Sequence, residues 1–342
     1  MKIEKKTLTE LYCCYAASST TIDGEKKIIF ATEDHGAAYL YSLPDLKKTK
    51  LWDGPGGTMS IVSIPGENGD FLAVQNFFPG FHSEKAKIVW AQPQTDGTWK
   101  IKTILQLPYV HRFDILTANG VNYFIGCTLC TSKTDTDDWS DPGKIYVGEL
   151  PKDLMKPIKL SVIKEGLFKN HGYNRTVWKG KMTGMVTCES GVFAVTPPQA
   201  SGTNWTIETI LDRPVSDVAV GDIDGDGQDE LITIEPFHGN QFSISHKTKT
   251  GYEKVYEYPE AMGFGHVAWA GKLRGVPTVI GGQRREAQDL FYIQYKEGNY
   301  VKTTIEKHIG PSNIFVINGE DRDIIISANR EVGEAVLYIV TD

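Results

Sequence analysis

Short apolar runs recur along the whole chain, and turn-forming residues separate them about every eight to twelve residues. Many runs are rich in β-branched and aromatic residues, a composition that predicts β-strands. The wider spacing of long amphipathic helices is almost missing. The pattern therefore predicts an all-β protein, and such evenly spaced strands are typical of an internal repeat.

A unit of about 45 residues occurs seven times. Its second and third strands are clear in KKIIFATEDHGAAYLYSL, in DELITIEPFHGNQFSISH and in DIIISANREVGEAVLYIVTD. A further strand precedes every copy, and a fourth strand follows each of the first six copies. Four antiparallel strands repeated radially are the plan of a β-propeller.

The seventh copy ends at Asp342 after three strands, so its fourth strand must come from elsewhere. The opening MKIEKKTLTE resembles YVKTTIEKHIG, the fourth strand of the sixth copy. Pairing this N-terminal strand with the last blade would close the ring and leave no free sheet edge. We expect one domain over residues 1–342, a seven-bladed β-propeller of four-stranded antiparallel blades.

The composition of the chain argues against some classes of binding partner and indicates a cellular compartment. The 342 residues carry a formal charge of −7 without a basic stripe, which argues against nucleic acid. No run of eighteen apolar residues and no secretory signal are present, so we expect a cytoplasmic protein without a membrane partner. Five cysteines, an odd number, favour a reducing compartment. Cys127 and Cys130 are interpreted as buried strand residues rather than a metal or redox pair.

An acidic, glycine-rich loop interrupts VAVGDIDGDGQDELITIE between two strand-like flanks. Oxygen ligands at this spacing suit calcium much better than zinc. The alternative is a carboxylate-rich hairpin turn without metal. The expected calcium ligands are Asp222, Asp224, Asp226, Gln228 through its carbonyl, and Glu230 or Asp229.

The eight histidines are not spread evenly over the predicted repeat. Three fall in loops between second and third strands, four fall where first strands begin, and only His246 lies in a third strand. Both connection types open on one face of a propeller, opposite the face that carries the acidic loop. The sequence therefore predicts two separate sites, although any one histidine alone is better explained as an ordinary hydrogen-bonded surface or channel residue than as a ligand.

Neutral imidazoles converging near a propeller axis can bind a transition metal, and nearby arginines suit a carboxylate or an enediolate. We assign zinc or manganese to His171, His238 and His266. The candidate catalytic residues are His111, His308, Tyr173, Arg285 and Arg330. The candidate substrate-binding residues are His35, His82, Arg175 and Trp139. Trp139 belongs to the insertion TSKTDTDDWSDPGK of the third blade, which is either a lid or a solvated acidic loop.

The string VGDIDGDGQDELI resembles the FG-GAP or VCBS repeat. With AVQNFFPGFHSEKAKIVWA and EPFHGNQFSIS, the chain also resembles the propeller part of aldos-2-ulose dehydratase and related bacterial VCBS-type proteins. Those proteins act on keto or anhydro sugars with help from a metal. Because the seven predicted blades account for residues 1–342, we expect none of the cupin-like domains of the fungal enzyme within this sequence. The architecture is also similar to the seven-bladed oligogalacturonate lyases, which have a histidine-rich metal site over the channel.

These resemblances imply a metal-assisted enzyme acting on a small carbohydrate that carries a keto, anhydro or uronic group. The reaction is expected to be β-elimination, as in a lyase or dehydratase, or isomerisation. The alternative is a non-catalytic propeller that binds carbohydrate or protein and has one structural calcium loop. The oligomeric state stays open.

Overall fold

The computed structural model describes residues 1–43, 45–200 and 202–342, with only the backbone of Phe81. Seven four-stranded antiparallel sheets surround a central channel. The predicted all-β, seven-bladed propeller is confirmed. The helix found among the described residues is a single 3-10 turn, Pro79–Phe81.

Chain order follows blade order, with one exception at the N-terminus. Strand β1 (Lys2–Glu10) precedes the first blade and joins the last one. Within each blade the strands run outward from the axis. The first four blades contain β2 (Cys14–Ile22), β3 (Glu25–Thr32), β4 (Ala38–Ser42) and β5 (Lys48–Trp52); β6 (Ile61–Ser63), β7 (Phe71–Gln75), β8 (Lys87–Pro93) and β9 (Trp99–Gln106); β10 (Val110–Ala118), β11 (Val121–Thr128), β12 (Gly143–Glu149) and β13 (Ser161–Leu167); and β14 (Tyr173–Trp178), β15 (Lys181–Cys188), β16 (Gly191–Thr196) and β17 (Thr206–Leu211). The last three contain β18 (Asp217–Gly221), β19 (Glu230–Glu235), β20 (Gln241–Thr248) and β21 (Gly251–Glu257); β22 (Met262–Leu273), β23 (Val276–Glu286), β24 (Leu290–Lys296) and β25 (Asn299–Glu306); and β26 (Pro311–Ile317), β27 (Asp323–Asn329) and β28 (Glu334–Thr341).

The N-terminal strand closes the ring as predicted. Strand β1 pairs antiparallel with β28, from Lys2 opposite Thr341 to Glu10 opposite Glu334. The Lys5 ammonium adds ion pairs to Glu306 at 2.8 Å and to Glu334 at 2.9 Å. The last blade therefore holds the two ends of the chain together.

The core lies between the blades rather than at the axis. Seven clusters of buried apolar side chains each fill the gap between two neighbouring blades. Between the fifth and sixth blades, for example, the rings of Phe242 and Phe291 are fully buried and lie 5.3 Å apart. Burial of such a side chain stabilises the fold by about 1.5–3 kcal/mol. The channel is consequently free for polar side chains.

Among the residues described, no helix has the length and apolar character needed to cross a membrane.

Deleting residues 1–10 is expected to destabilise the whole ring, because β28 would become an unpaired edge and the last blade would lose its covalent connection to the first. We expect a loss of several kcal/mol, seen as a fall in Tm of about 5 °C or more with concentration-dependent aggregation. Thermal unfolding and light scattering measure both effects. The double substitution Lys2→Ser and Glu4→Ser, which changes only exposed side chains of β1, is the control and should change neither. An unchanged Tm after the deletion would contradict closure by β1.

Candidate functional site

The polar side chains around the channel come from one place in each blade, at or just before the start of the inner strand. A β-bulge interrupts the pairing of the inner strand with the second strand near its start in four blades. A bulge leaves one extra residue unpaired and turns its side chain out of the regular alternation. The extra residues are Tyr15, His111, His266 and Ser312. In the other three blades the inner strand begins one or two residues later, and Ser60, His171 and Ser216 hold the corresponding place.

Five of these seven side chains hydrogen-bond to the backbone carbonyl at the same place in the next blade. The bonds run from Ser60 Oγ to His111 at 3.2 Å, from His111 Nδ1 to His171 at 3.0 Å, from His171 Nδ1 to Ser216 at 3.3 Å, from His266 Nδ1 to Ser312 at 2.5 Å and from Ser312 Oγ to Tyr15 at 3.0 Å. We call this ring of side chains the belt. It fixes the rotation of three imidazoles at one end of the channel.

Three histidines converge at the belt. The ligand nitrogens of His171, His238 and His266 lie within 4.8 Å of one another, and the Nε2 atoms of His171 and His238 are 3.1 Å apart. His171 and His266 come from the belt, whereas His238 reaches over from the loop that follows β19. These are the three residues that the sequence analysis assigned to a transition metal. We call them the histidine cluster.

The hydrogen bonds of the cluster determine which nitrogen is free. A carbonyl oxygen only accepts, so His171 and His266 must carry their proton on Nδ1. Their Nε2 atoms therefore present lone pairs to the centre of the cluster. A backbone acceptor on the other ring nitrogen is the usual support of a metal-binding histidine.

His238 is held in a strained position. Its φ of 46° lies in the left-handed region, which a residue with a Cβ rarely adopts. The backbone N–H of His238 donates to Ser216 Oγ at 3.0 Å, which stabilises that conformation. Strained residues of this kind gather at functional sites.

Burial keeps the histidines of this region neutral. Desolvation lowers the pKa of His111, His171 and His266 well below its usual value, and that of His238 to about 3. The positive charge of Arg112 adds to the effect on all four. Neutral imidazole is the form that binds a metal ion.

Aromatic rings cover the cluster on the outer face. The ring of Phe237 stacks on His238 with centroids 4.0 Å apart, and Phe264 stacks on the same imidazole at 4.1 Å. The guanidinium groups of Arg284 and Arg285 lie over Phe264 at 4.6 and 5.2 Å. The cluster is thus enclosed by apolar faces and by positive charge.

The insertion of the third blade extends this cover. Its Trp139 is partly buried, and its ring meets Phe237 edge to face at 5.3 Å. The ammonium groups of Lys133 and Lys169 lie 3.6 and 5.5 Å from the centre of the indole. Trp139 therefore belongs to a packed layer above the histidines, which favours the lid interpretation over a solvated loop.

Several predicted site residues lie outside this arrangement. Among the described contacts, none joins the rings of His35, His82 or His308 to the histidine cluster, and all three side chains are exposed. His35 packs instead on Phe78, with ring centroids 4.2 Å apart. Arg330, in the last blade, forms an ion pair with Glu33 of the first blade at 2.7 Å.

Tyr173 and Arg175 also lie away from the cluster. Both line the channel further along β14. Arg175 forms an ion pair with Asp114 at 3.1 Å, and the buried Tyr173 hydroxyl lies against Gly184. Burial and the charge of Asp114 raise the pKa of Tyr173 well above its usual value. His111, in contrast, is next to the cluster, with its ring 4.5 Å from that of His171.

Tyr15 was missed by the sequence analysis. Its hydroxyl lies 3.1 Å from His266 Nε2, and it donates this bond because that nitrogen carries no proton. A signal for it existed, since Tyr15 holds in the first blade the place that His111 and His266 hold in theirs. A search for histidine alone overlooks the equivalent tyrosine.

The acidic loop forms a second, separate group of ligands. The carboxylates of Asp222, Asp224 and Asp226 offer oxygens within 4.8 Å of one another. Asp222 accepts hydrogen bonds from the amides of Gly225 at 2.8 Å and Gly227 at 3.2 Å, which hold the loop tightly folded. The loop precedes β19 and His238 follows it, so the two groups lie at opposite ends of one strand, as the sequence analysis predicted.

Glu230, at the start of β19, and His246, in β20, add two further side chains to the acidic group. Glu230 is buried and accepts from the amide of Ile223 at 2.7 Å, and burial raises its pKa to about 7. His246 Nε2 lies 3.3 Å from Asp224 and 2.7 Å from the Tyr300 hydroxyl. His246, which lies in a third strand, was not predicted to belong to either site. Its nearness to Glu230 follows from the pairing of Leu231 with Ser245, which counting along the strands could have found.

All five cysteines are buried and free. Burial raises the pKa of the Cys127 and Cys130 thiols, which makes both groups poor nucleophiles.

Comparison with known proteins supports the architecture. Residues 215–255, in the fifth blade, match the family model of the FG-GAP repeat, so the resemblance drawn from VGDIDGDGQDELI is confirmed. No curated protein matches the sequence significantly. The chain is a β-propeller with an FG-GAP repeat.

Solved structures of similar fold are distant in sequence. The β-propeller domain of Cps50 (Swd1) from Myceliophteria thermophila has a TM-score of 0.62 at 10% identity, covering 99% of this chain and 100% of that one. Sqt1 of Saccharomyces cerevisiae has a TM-score of 0.57 at 8% identity, covering 95% and 84%. A luciferin-regenerating enzyme has a TM-score of 0.54 at 12% identity, covering 100% and 95%. At such identities the likeness concerns the fold alone.

Metal-free protein, prepared with a chelator, is expected to lose stability as the pH falls below about 6.5. Unfolded histidines take up protons near that pH, whereas the lowered folded pKa values keep the four buried imidazoles neutral, so acid favours the unfolded chain. Each such histidine adds about 1.4 kcal/mol per pH unit to the slope of the unfolding free energy. Urea unfolding at pH 7, 6 and 5 measures that slope.

The variant His111→Asn should reduce the slope by about one histidine's share. The matched control His308→Asn, at an exposed position, should leave it unchanged. Equal changes in both variants would contradict the link between burial and acid sensitivity.

Proposed function

We propose that this propeller is a metal-dependent enzyme that acts on a sugar with a carbonyl or carboxylate group, by β-elimination or isomerisation. One observation carries the proposal: three neutral histidines point ligand nitrogens at one point, and two of them are oriented by backbone carbonyls. Three protein nitrogens that leave one position open are typical of catalytic rather than structural zinc.

The geometry of the cluster fits a metal ion. Two nitrogens bound at about 2.0–2.1 Å around a tetrahedral zinc lie about 3.3 Å apart. The Nε2 atoms of His171 and His238 are separated by 3.1 Å, close to that value. Manganese prefers oxygen ligands, so zinc suits this donor set better. His171, His238 and His266 would hold the ion, which when bound supplies a Lewis acid for a substrate oxygen.

Positive charge around the cluster suits an anionic substrate or intermediate. Besides burial, the charges of Arg284, Arg285, Arg112 and Lys169 all lower the pKa of His238. Such groups, fixed before the reaction begins, stabilise negative charge that develops on an enolate oxygen. They would equally attract a substrate carboxylate.

Tyr15 is the better placed proton donor. We assign the role of acid to its hydroxyl, 3.1 Å from His266 Nε2, rather than to Tyr173, whose hydroxyl lies between the third and fourth blades. With the lone pair of His266 Nε2 taken by a metal ion, this hydroxyl would lose the acceptor to which it otherwise donates, and the phenol proton would then be available to a substrate oxygen. Burial raises the pKa of Tyr15 to about 12, so the phenol keeps its proton at neutral pH. His111, beside His171, is the candidate base. Arg285 keeps its place as a cation near the cluster, whereas Arg330 is bound to acidic partners.

The aromatic cover gives the site its low polarity. Phe237, Phe264 and Trp139 would exclude water from the outer side of the cluster. Low polarity strengthens each charge interaction at the cluster.

Calcium at the acidic loop is a separate, structural proposal. The remaining oxygens of Asp222, Asp224 and Asp226, with the Gln228 carbonyl, would bind it, and Glu230 would support the loop from below. The FG-GAP match of this blade also keeps the second candidate function in view, a binding propeller with one structural calcium and no catalysis.

Elemental analysis of purified protein tests both metal proposals. We expect about one equivalent of a transition metal, lost in His171→Ala and kept in Asp224→Ala, because the two groups lie at opposite ends of β19. The control His308→Ala, an exposed histidine outside the cluster, should keep the metal. Calcium without a transition metal in wild type would contradict the enzyme and favour the binding propeller.

Tyr15→Phe should lower kcat by about a hundredfold or more on a substrate found by screening keto and uronic sugars, with little change in KM. The phenyl ring keeps its packing and only the proton donor is lost. Tyr173→Phe is the matched control and should retain most activity. A larger loss of kcat in Tyr173→Phe than in Tyr15→Phe would restore the earlier assignment of the acid.

A further inference from the structure

The central channel contains a cavity of about 690 Å³ on the inner side of the histidine cluster. His266 lines one end of it, and the other end is lined by Lys26, near the start of β3, and by Glu67, in the loop between β6 and β7. A volume in this range suits a small ligand such as a monosaccharide. The cavity therefore joins the cluster to the face on which the acidic loops open.

Arg112 lines the cavity beside the cluster. It follows the bulge residue His111, and its side chain is 9% exposed. One amino group donates to the carbonyl of Met59 at 2.6 Å, and the guanidinium lies 5.9 Å from the Tyr15 ring. A guanidinium has five N–H donors. Among the described residues, the remaining N–H groups of Arg112 have no hydrogen-bond partner.

Asp217 lies on the wall of the same cavity, at the start of β18. Its carboxyl group is 9% exposed and accepts only the amide of Val218, at 3.0 Å. No ion pair within 4.0 Å joins it to Arg112. Burial raises the pKa of Asp217, and the two groups are close enough for the charge of Arg112 to offset part of that rise. The pair Asp114 and Arg175, further along the cavity, is in direct contact at 3.1 Å.

A buried guanidinium with free N–H groups and a buried carboxyl group with a free oxygen are costly unless something polar contacts them. These two groups match a ligand that offers an acceptor to Arg112 and a hydroxyl to Asp217. A sugar acid has both, since its carboxylate fits the fork of an arginine and its hydroxyls donate to a carboxylate.

We propose that Arg112 and Asp217 form a binding subsite for a sugar acid, with the carboxylate on Arg112 and a hydroxyl group on Asp217. The assignment of a sugar acid as the substrate rests on the proposed function, since His266 borders the same cavity and a sugar bound there would reach the cluster. The binding of a sugar acid to Arg112 and Asp217 requires no metal.

Isothermal titration with D-galacturonate and its neutral counterpart D-galactose tests the subsite, on metal-loaded and on chelator-treated protein. Wild type should bind galacturonate at least about tenfold more tightly than galactose in both preparations, the margin of a charged hydrogen bond. No preference for galacturonate in wild type overturns the proposal without any variant.

Variants then assign the two ends. Arg112→Met should abolish the preference for galacturonate, and Arg112→Lys, which keeps the charge without the fork, should retain part of it. Asp217→Asn should weaken galacturonate and galactose alike, because both present hydroxyls. Arg322→Gln removes an exposed arginine that does not line the cavity and is the matched control, with unchanged binding. An unchanged preference in well-folded Arg112→Met overturns the subsite.

The two proposals fail separately. Arg112-dependent binding to protein that is purified, without chelator, free of transition metal supports the subsite and contradicts the metal enzyme. A bound metal lost in His171→Ala, together with no affinity for galacturonate, supports the metal site and overturns the subsite.

Discussion

The organisation of the channel depends on one interaction, the hydrogen bond from a side chain at the start of an inner strand to the backbone carbonyl at the same place in the next blade. At His111, His266 and Ser312 a bulge leaves the residue unpaired and turns its side chain toward that carbonyl. Five of the seven blades position a neighbour in this way. Where the residue is serine the bond only ties two blades together, and where it is histidine a second ring nitrogen is left over.

That second nitrogen connects architecture with chemistry. Because Nδ1 of His171 and of His266 is committed to a carbonyl, Nε2 is unprotonated and its direction is fixed by the ring of blades. The belt has no bond of this kind at Tyr15 or Ser216, and these two residues contact the cluster instead, through His266 and His238. The departures from the repeat are where the candidate chemistry lies.

The charged side chains that shift the pKa of His238 and of His266 are all positive. Arg112 lies on the channel side and Arg284 on the outer side, and both lower the pKa of His238 and of His266. Neutral imidazoles tolerate these neighbours, whereas protonated ones would not. An anion arriving at the cluster meets positive charge on two sides, a combination that links the metal proposal to the acidic ligand inferred for the cavity.

Sequence alone determined the repeat, the number of blades and the closure by β1, because strand periodicity is local and an incomplete last copy requires a partner strand. It also determined the two faces, since loop type follows from position in the repeat. His171, His238 and His266 could be selected from their blades, but the exposed positions of His35, His82 and His308 could not be foreseen. Only the tertiary structure decided those, and it alone brought Tyr15, Arg112 and Asp217 together, because a bulge shifts a side chain by one place and the channel joins residues from different blades.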